Sequence, residues 1–425
     1  MRLDLLLVCT TLVFLGLPVA SQAGNGPGRC KKDGNEIESS GSTDPHLLRD
    51  FAERCVRLNH VQVLGSHNSY HIQPGPSLDL LLQISDPLLP GCGGPGDPCP
   101  SELSLVWEYT HVPLEQQFSQ QGVRQIELDV FLDPEEPTLF ANPLGDFLVA
   151  FFELQPDPEN DPNGLLLDPG LKVLHVQDLD FRSSCLTLEA CLQTIQQWSA
   201  AHPGHLPLTV LVELKEEPLP DLGPPIPPFV TPIPFEAEDL DDLDSLIRSV
   251  FPPGQLITPD DVRGRRPTLE KAVLKDGWPT LEEAAGRVLF ALDNGGAVRD
   301  LYVEGHPSLR GRVLFTDSPP GEPEAAFMKR NDPVGSLEEI QDLVSRGYIV
   351  RTRSDADTLE ARFGLTARRD NALASGAQFV SSDYPEPNPD FGTGYFVEIP
   401  GGEPARCNPL SAPPGCREAA LEDLP

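Results

Sequence analysis

"HVQVLGSHNSYHI", residues 60 to 72, runs from an apolar-rich segment, "VQVL", straight into two histidines, an asparagine, two serines and a tyrosine. The segment reads as a buried strand whose end carries the polar cluster. Seven further runs rich in Val, Ile, Leu and Phe follow: "VRQIELDVF" (123 to 131), "LKVLHVQ" (171 to 177), "LTVLVELK" (208 to 215), "RVLFALDN" (287 to 294), "RVLFTD" (312 to 317), "GYIVRTRSD" (347 to 355) and "QFVSSDYP" (378 to 385). Between them lie patterns such as "CLTLEACLQTIQQWSAAH" and "GSLEEIQDLVSRG", with apolar residues three and four apart and a glycine or proline stop. Strand and helix alternating in this way predict a single α/β domain, a (β/α)8 TIM-type barrel. In such a barrel the reacting groups sit at the C-terminal strand ends, which is where "SHNSYH" would fall.

A barrel of this kind needs about 250 residues, so a chain of 425 carries long insertions. The proline-dense stretch 216 to 236 predicts an extended loop. The segment 133 to 164 is a second insertion with room for a small hairpin, and "GCGGPGDPCP" reads as a disulfide-closed loop. Residues 1 to 23 read as a secretory signal peptide cleaved after Ala23, with an uncleaved anchor as the alternative, and residues 24 to 425 as the barrel domain. The remaining cysteines, Cys30, Cys55, Cys92, Cys99, Cys185, Cys191, Cys407 and Cys416, are even in number, as expected of disulfides in an exported chain. Short loops would close between Cys92 and Cys99, Cys185 and Cys191, and Cys407 and Cys416, leaving Cys30 for Cys55, although spacing alone does not fix the connectivity. Zinc is the competing use, and the absence of any C-x-x-C argues against it.

A formal charge of −34 disfavours nucleic acid and general adhesion to anionic surfaces. An anionic substrate would have to be attracted locally, by a metal ion or a few cationic side chains. The strand ends supply candidates. Glu127 and Asp129 lie two apart and so point to one face, as do Glu213 with Lys215 and Arg351 with Arg353. Carboxylates crowded at a barrel mouth repel unless protons or a cation compensate them. Asn68, Glu127, Asp129 and Glu213 together suit a hard divalent ion: calcium, which takes six to eight oxygens, or less readily magnesium. The competing reading pairs each carboxylate with a nearby Arg or Lys. His67 and His175 add acid and base capacity near neutral pH, where a lone strand histidine would more simply be a hydrogen-bonded core residue.

The ordered set "SHNSYH", "GVRQIELDV", "VLHVQDLDF" and "LVELK", continuing through "LITPDDVRG" to "ARRDNALASGAQFVSSDYPEP", resembles the calcium-dependent phosphatidylinositol-specific phospholipase C family of bacteria. The resemblance implies catalytic roles for His67, His175 and Glu127, and calcium ligation by Asn68, Glu127, Asp129 and Glu213. It further implies phosphate contacts from Lys215, Arg351 and Arg353, with ion pairing to barrel carboxylates as the alternative for the two arginines. The implied reaction is cleavage of phosphatidylinositol, at a membrane or vesicle surface, to diacylglycerol and a cyclic inositol phosphate, by a secreted and monomeric protein in peripheral contact with lipid. Eukaryotic relatives that recognise extra ring phosphates carry a lysine pair on the fifth strand. Here that run is "FALDN", with Ala291 and Asp293, so plain phosphatidylinositol is the expected substrate.

Two rivals share the barrel. Glycerophosphodiester phosphodiesterases usually end the first strand in a His-Arg-Gly type sequence, which "SHNSY" does not match; a secreted barrel that binds phosphate or sugar without turnover would be expected to have lost a site residue. Phe147, Phe151 and Phe152 are expected to pack beneath the insertion rather than touch lipid.

Overall fold

The computed structural model describes residues 55–85, 103–224, 226–402 and 404–422. The proposed signal peptide, Cys30, Cys92 and Cys99 lie outside them.

Eight parallel strands form the barrel: β1 (Val61–Ser66), β2 (Gln125–Asp133), β3 (Leu208–Leu214), β4 (Val288–Leu292), β5 (Leu314–Thr316), β6 (Phe327–Lys329), β7 (Ile349–Arg353) and β8 (Phe379–Ser382). Neighbours in sequence are neighbours in the sheet, and β8 pairs back onto β1 through Val63–Phe379 to Ser66–Ser382. A single parallel bridge, Asp317 to Phe327, joins β5 to β6. Every residue of β1 to β5 and β8 except Glu213 is buried, as expected of strands covered on both faces.

The helices outside the barrel form where the apolar spacing predicts them. Leu188–Ala201 starts at Thr187, whose side chain accepts from the Ala190 amide, and buries Leu188, Cys191, Leu192, Ile195 and Trp198 along one stripe. Leu337–Arg346 turns Ile340, Leu343 and Val344 inward and stops at Gly347, whose φ of 104° an L side chain rarely adopts. Disulfides join Cys185 to Cys191 and Cys407 to Cys416, as the spacing suggested, and Cys55 is also disulfide-bonded. The described residues of 216 to 236 contain no helix or strand.

Two expectations need correction. The run at 171 to 177 is not a stave: Gly170–Val173 pairs antiparallel with β2, Val173 opposite Val130 and Gly170 opposite Asp133. The eighth stave is instead the three-residue β6, too short to register as an apolar run. The insertion after β2 carries a helix, Leu144–Phe151, where room for a hairpin was inferred. β2 runs past the rim of the barrel, and its overhanging half is covered by the extra strand, so Glu127 and Asp129 reach the mouth from mid-strand.

Candidate active site

Register brings the carboxylates together. Asp129 on β2 sits opposite Glu213 on β3, and Glu127 lies one side-chain repeat below Asp129 on the same face. Asp293, which follows β4, completes the group: one carboxylate oxygen each from Glu127, Glu213 and Asp293 falls within 4.8 Å of the others. Asn68 follows β1 with a left-handed φ of 45°, a conformation asparagine tolerates better than most residues. Its side-chain nitrogen donates to the Tyr109 hydroxyl at 2.9 Å.

Asn68 Oδ1, Asp129 Oδ1 and Asp293 Oδ1 are buried and accept no hydrogen bond. Unpaired buried oxygens are costly, and costlier when they carry charge. Burial pushes Glu127 up to about 7 against the pull of Arg351, and burial raises Asp129 well above the usual carboxylate range against the pull of Lys215. An all-oxygen set that is anionic, buried and incompletely paired fits a hard divalent cation, and calcium in particular. Asp293 was read in the sequence only as the residue standing where relatives carry a lysine. Its place at a strand end was the signal that it belongs with the other acids.

Cations close the acidic group on two sides. Lys215 Nζ lies 3.2 Å from Asp129 and 3.6 Å from Glu213, and Lys329 on β6 pairs with Asp293. Arg351 is 1 % exposed and spends all three nitrogens inside the protein, on Ser381 at 2.9 Å, Asn331 at 2.7 Å and Glu127. In this structure it ion-pairs with Glu127. Arg353 pairs with Asp383 at 2.8 Å.

Each of the two histidines is anchored by its own aspartate. His67 is anchored through Nδ1 to Asp383 at 2.7 Å, and its Nε2 lies 4.0 Å from Glu127. Burial, with Arg353 next, pushes His67 well below the usual imidazole range despite Asp383. Burial would raise Asp383, yet His67 and Arg353 outweigh it and hold that carboxyl ionised. An ionised Asp383 facing Nδ1 fixes the tautomer, leaving Nε2 toward the cleft. His175 lies on the Lys215 side, in the turn after the antiparallel strand rather than at the end of a stave. Its Nδ1 faces Asp180 at 2.7 Å. About one fifth of each histidine side chain is open to solvent, 17 % for His67 and 19 % for His175. Asp383 and Asp180 both lay within quoted segments; only the fold reveals which histidine each one serves.

This arrangement can bind a cation, seat an anionic group against it and exchange protons through an imidazole. Comparison with known proteins agrees. The family model for calcium-dependent phosphoinositide phospholipase C matches residues 56–409. The chain is similar to the solved calcium-dependent phosphoinositol-specific phospholipase C of a Gram-negative Pseudomonas species, at 16 % identity and a TM-score of 0.47, over 84 % of this chain and 96 % of that one. It is also similar to the phosphatidylinositol-specific enzyme of Streptomyces antibioticus, at 17 % identity and a TM-score of 0.43, over 80 % and 97 %. A glycerophosphoryl diester phosphodiesterase from Parabacteroides distasonis aligns with a TM-score of 0.26 at 12 % identity, over 79 % and 88 %. No curated protein matches the chain. With a family model spanning the whole barrel, the chain belongs to the calcium-dependent phosphoinositide phospholipase C family.

Proposed function

We propose that this is a secreted enzyme that cleaves phosphatidylinositol in a lipid surface to diacylglycerol and a cyclic inositol phosphate, with one calcium ion held by Asn68, Glu127, Asp129 and Glu213. Asp293 is added to that set on its geometry. The observation that carries the reading is the set of unpartnered buried oxygens on Asn68, Asp129 and Asp293, with one carboxylate oxygen each from Glu127, Glu213 and Asp293 within 4.8 Å of the others and His67 anchored beside Glu127. Bound calcium would neutralise phosphoryl charge and make the attacking inositol hydroxyl more acidic.

The chain's own groups then divide the work. His67 Nε2 and Glu127 Oε1, 4.0 Å apart, border the same space, and either can receive the hydroxyl proton. Arg351 holds Glu127 in place, which leaves His67 the freer of the two acceptors. Lys215, with Arg353 behind His67, supplies positive charge to the phosphodiester. His175 delivers a proton to the departing diacylglycerol oxygen as its bond to phosphorus breaks. Asp293 and its partner Lys329 occupy the β4 and β6 rim, where a ring bearing further phosphates would meet a carboxylate, in keeping with the unsubstituted lipid as substrate.

The contact with lipid falls to the helix Leu144–Phe151. Its buried residues are Leu144, Gly145 and Val149, while Phe147, Phe151 and Phe152 are 53, 63 and 51 % exposed, contrary to the expectation that they pack beneath the insertion. Their rings lie 6.0 and 5.3 Å apart in series, a continuous apolar ridge. The start of the helix is tied to Asp178, three residues beyond His175, through the Leu144 amide at 2.8 Å and the Gly145 amide at 2.9 Å. Among the described residues no helix is long and apolar enough to cross a membrane.

Replacing all three phenylalanines by serine should lower turnover of phosphatidylinositol vesicles about tenfold or more, since each buried aromatic contributes on the order of 1.5–3 kcal/mol. Hydrolysis of a soluble short-chain analogue below its micelle concentration should be unchanged. Soluble glycerophosphoinositol should be a much poorer substrate than the lipid; preference for it would favour the glycerophosphodiesterase reading.

A further inference from the structure

Behind His175 lies a second, wholly buried histidine that the reaction described above does not use. His71 is 0 % and Asp180 1 % exposed. Asp180 Oδ2 accepts from His175 Nδ1 at 2.7 Å, and His71 Nε2 lies against both carboxylate oxygens, 2.8 Å from Oδ2 and 2.9 Å from Oδ1. The other His71 nitrogen faces the Tyr109 carbonyl oxygen at 3.0 Å. The His71 ring also stacks on Tyr109 with centroids 4.1 Å apart, and the Tyr109 hydroxyl accepts from Asn68. His71 meets the ring of His175 edge-on at 5.7 Å, and Trp107 meets it edge-on at 6.0 Å from another side.

From this geometry we infer that Asp180 and His71 are positioning residues for proton delivery: Asp180 fixes the ring and tautomer of His175, and His71 fixes Asp180. The inference rests on the phospholipase reading and extends it to two side chains that never touch substrate. With Nδ1–H of His175 donated to Asp180, only Nε2 is left to face the cleft, so His175 serves as donor in its doubly protonated form and the Nε2 proton passes to the diacylglycerol oxygen as the oxygen–phosphorus bond breaks. A carboxylate held at both oxygens by His71 while Oδ2 also serves His175 cannot rotate without breaking one of these contacts. The same cluster has three ligand-type atoms within 4.8 Å, but a metal there would have to displace these hydrogen bonds, so we read it as a relay of hydrogen bonds.

A substrate whose leaving group needs no proton separates this role from a merely structural one. Asp180→Asn and His71→Asn should each be assayed on phosphatidylinositol and on the p-nitrophenyl ester of inositol phosphate, in calcium. The ratio of the two rates does not depend on how much of a variant is folded, so a partly unfolded preparation remains informative. Asp180→Asn is expected to lose about 100-fold on the lipid and under about fivefold on the aryl ester, as His175→Ala should. His71→Asn should show the same bias to a smaller degree. KM for the lipid should stay within about twofold. Equal losses on both substrates would overturn the inference and leave the phospholipase reading intact. Wild-type protein inactive on both substrates would overturn both.

Discussion

Glu213→Gln is expected to shift the calcium concentration needed for half-maximal activity upward by about 100-fold or more, with part of the maximal rate returning at millimolar calcium. The exchange keeps the shape of the side chain and deletes one anionic oxygen. Affinity at an oxygen site follows the number of charged ligands, and Glu213 is the most exposed of the acids, its side chain 31 % open, so its loss disturbs packing least. Asp129→Asn should do the same with poorer recovery, because Lys215 then loses its partner at 3.2 Å. Asp293→Asn decides whether that residue belongs to the ion's shell: a rightward shift like that of Glu213→Gln places it there, and an unchanged calcium curve leaves it as the partner of Lys329 alone. Melting temperatures with and without calcium check each variant, since a bound ion stabilises only the fold that holds it.

His175→Ala should cost about 10²- to 10⁴-fold in kcat on phosphatidylinositol, and His67→Ala a comparable factor. The two losses differ in kind. Without His175 the departing alkoxide has no proton donor, so a substrate with an acidic leaving group should recover most of the rate. Without His67 the attacking hydroxyl loses its neutral acceptor, and no change of leaving group should help. Glu127→Gln discriminates further. If Glu127 acts mainly as a ligand, raised calcium restores activity; if it also takes the proton, the loss persists at saturating ion. Steady-state rates on two substrates across a calcium titration give all of these results.

Most of the barrel was legible because parallel staves are buried on both faces and announce themselves as apolar runs ending in polar groups. The third such run, 171 to 177, misled for a physical reason: an antiparallel strand capping the overhang of β2 is as buried as a stave, Val173 and Leu174 being almost inaccessible. β6 escaped because three residues, Phe327 to Lys329, suffice to close a barrel when their neighbours hold the register. At the site, Glu127 with Asp129 could be read from the two-residue repeat, since alternation alone puts both on one face. Pairings across the barrel could not. Nothing local says that Asp383 anchors His67 across 316 residues or that Arg351 pairs with Glu127. The phenylalanine ridge shows the opposite error, in which apolar residues clustered in an insertion were taken for core although no second layer among the described residues covers them.

Phosphorus NMR of phosphatidylinositol vesicles incubated with the protein, in calcium and in excess chelator, tests the cation-dependent site most directly. A new resonance in the five-membered cyclic phosphodiester region should grow in calcium, stay absent in chelator and return when calcium is restored. Formation of that product in chelator, or a failure to form it in calcium, would contradict the assignment of these oxygens to a catalytic metal.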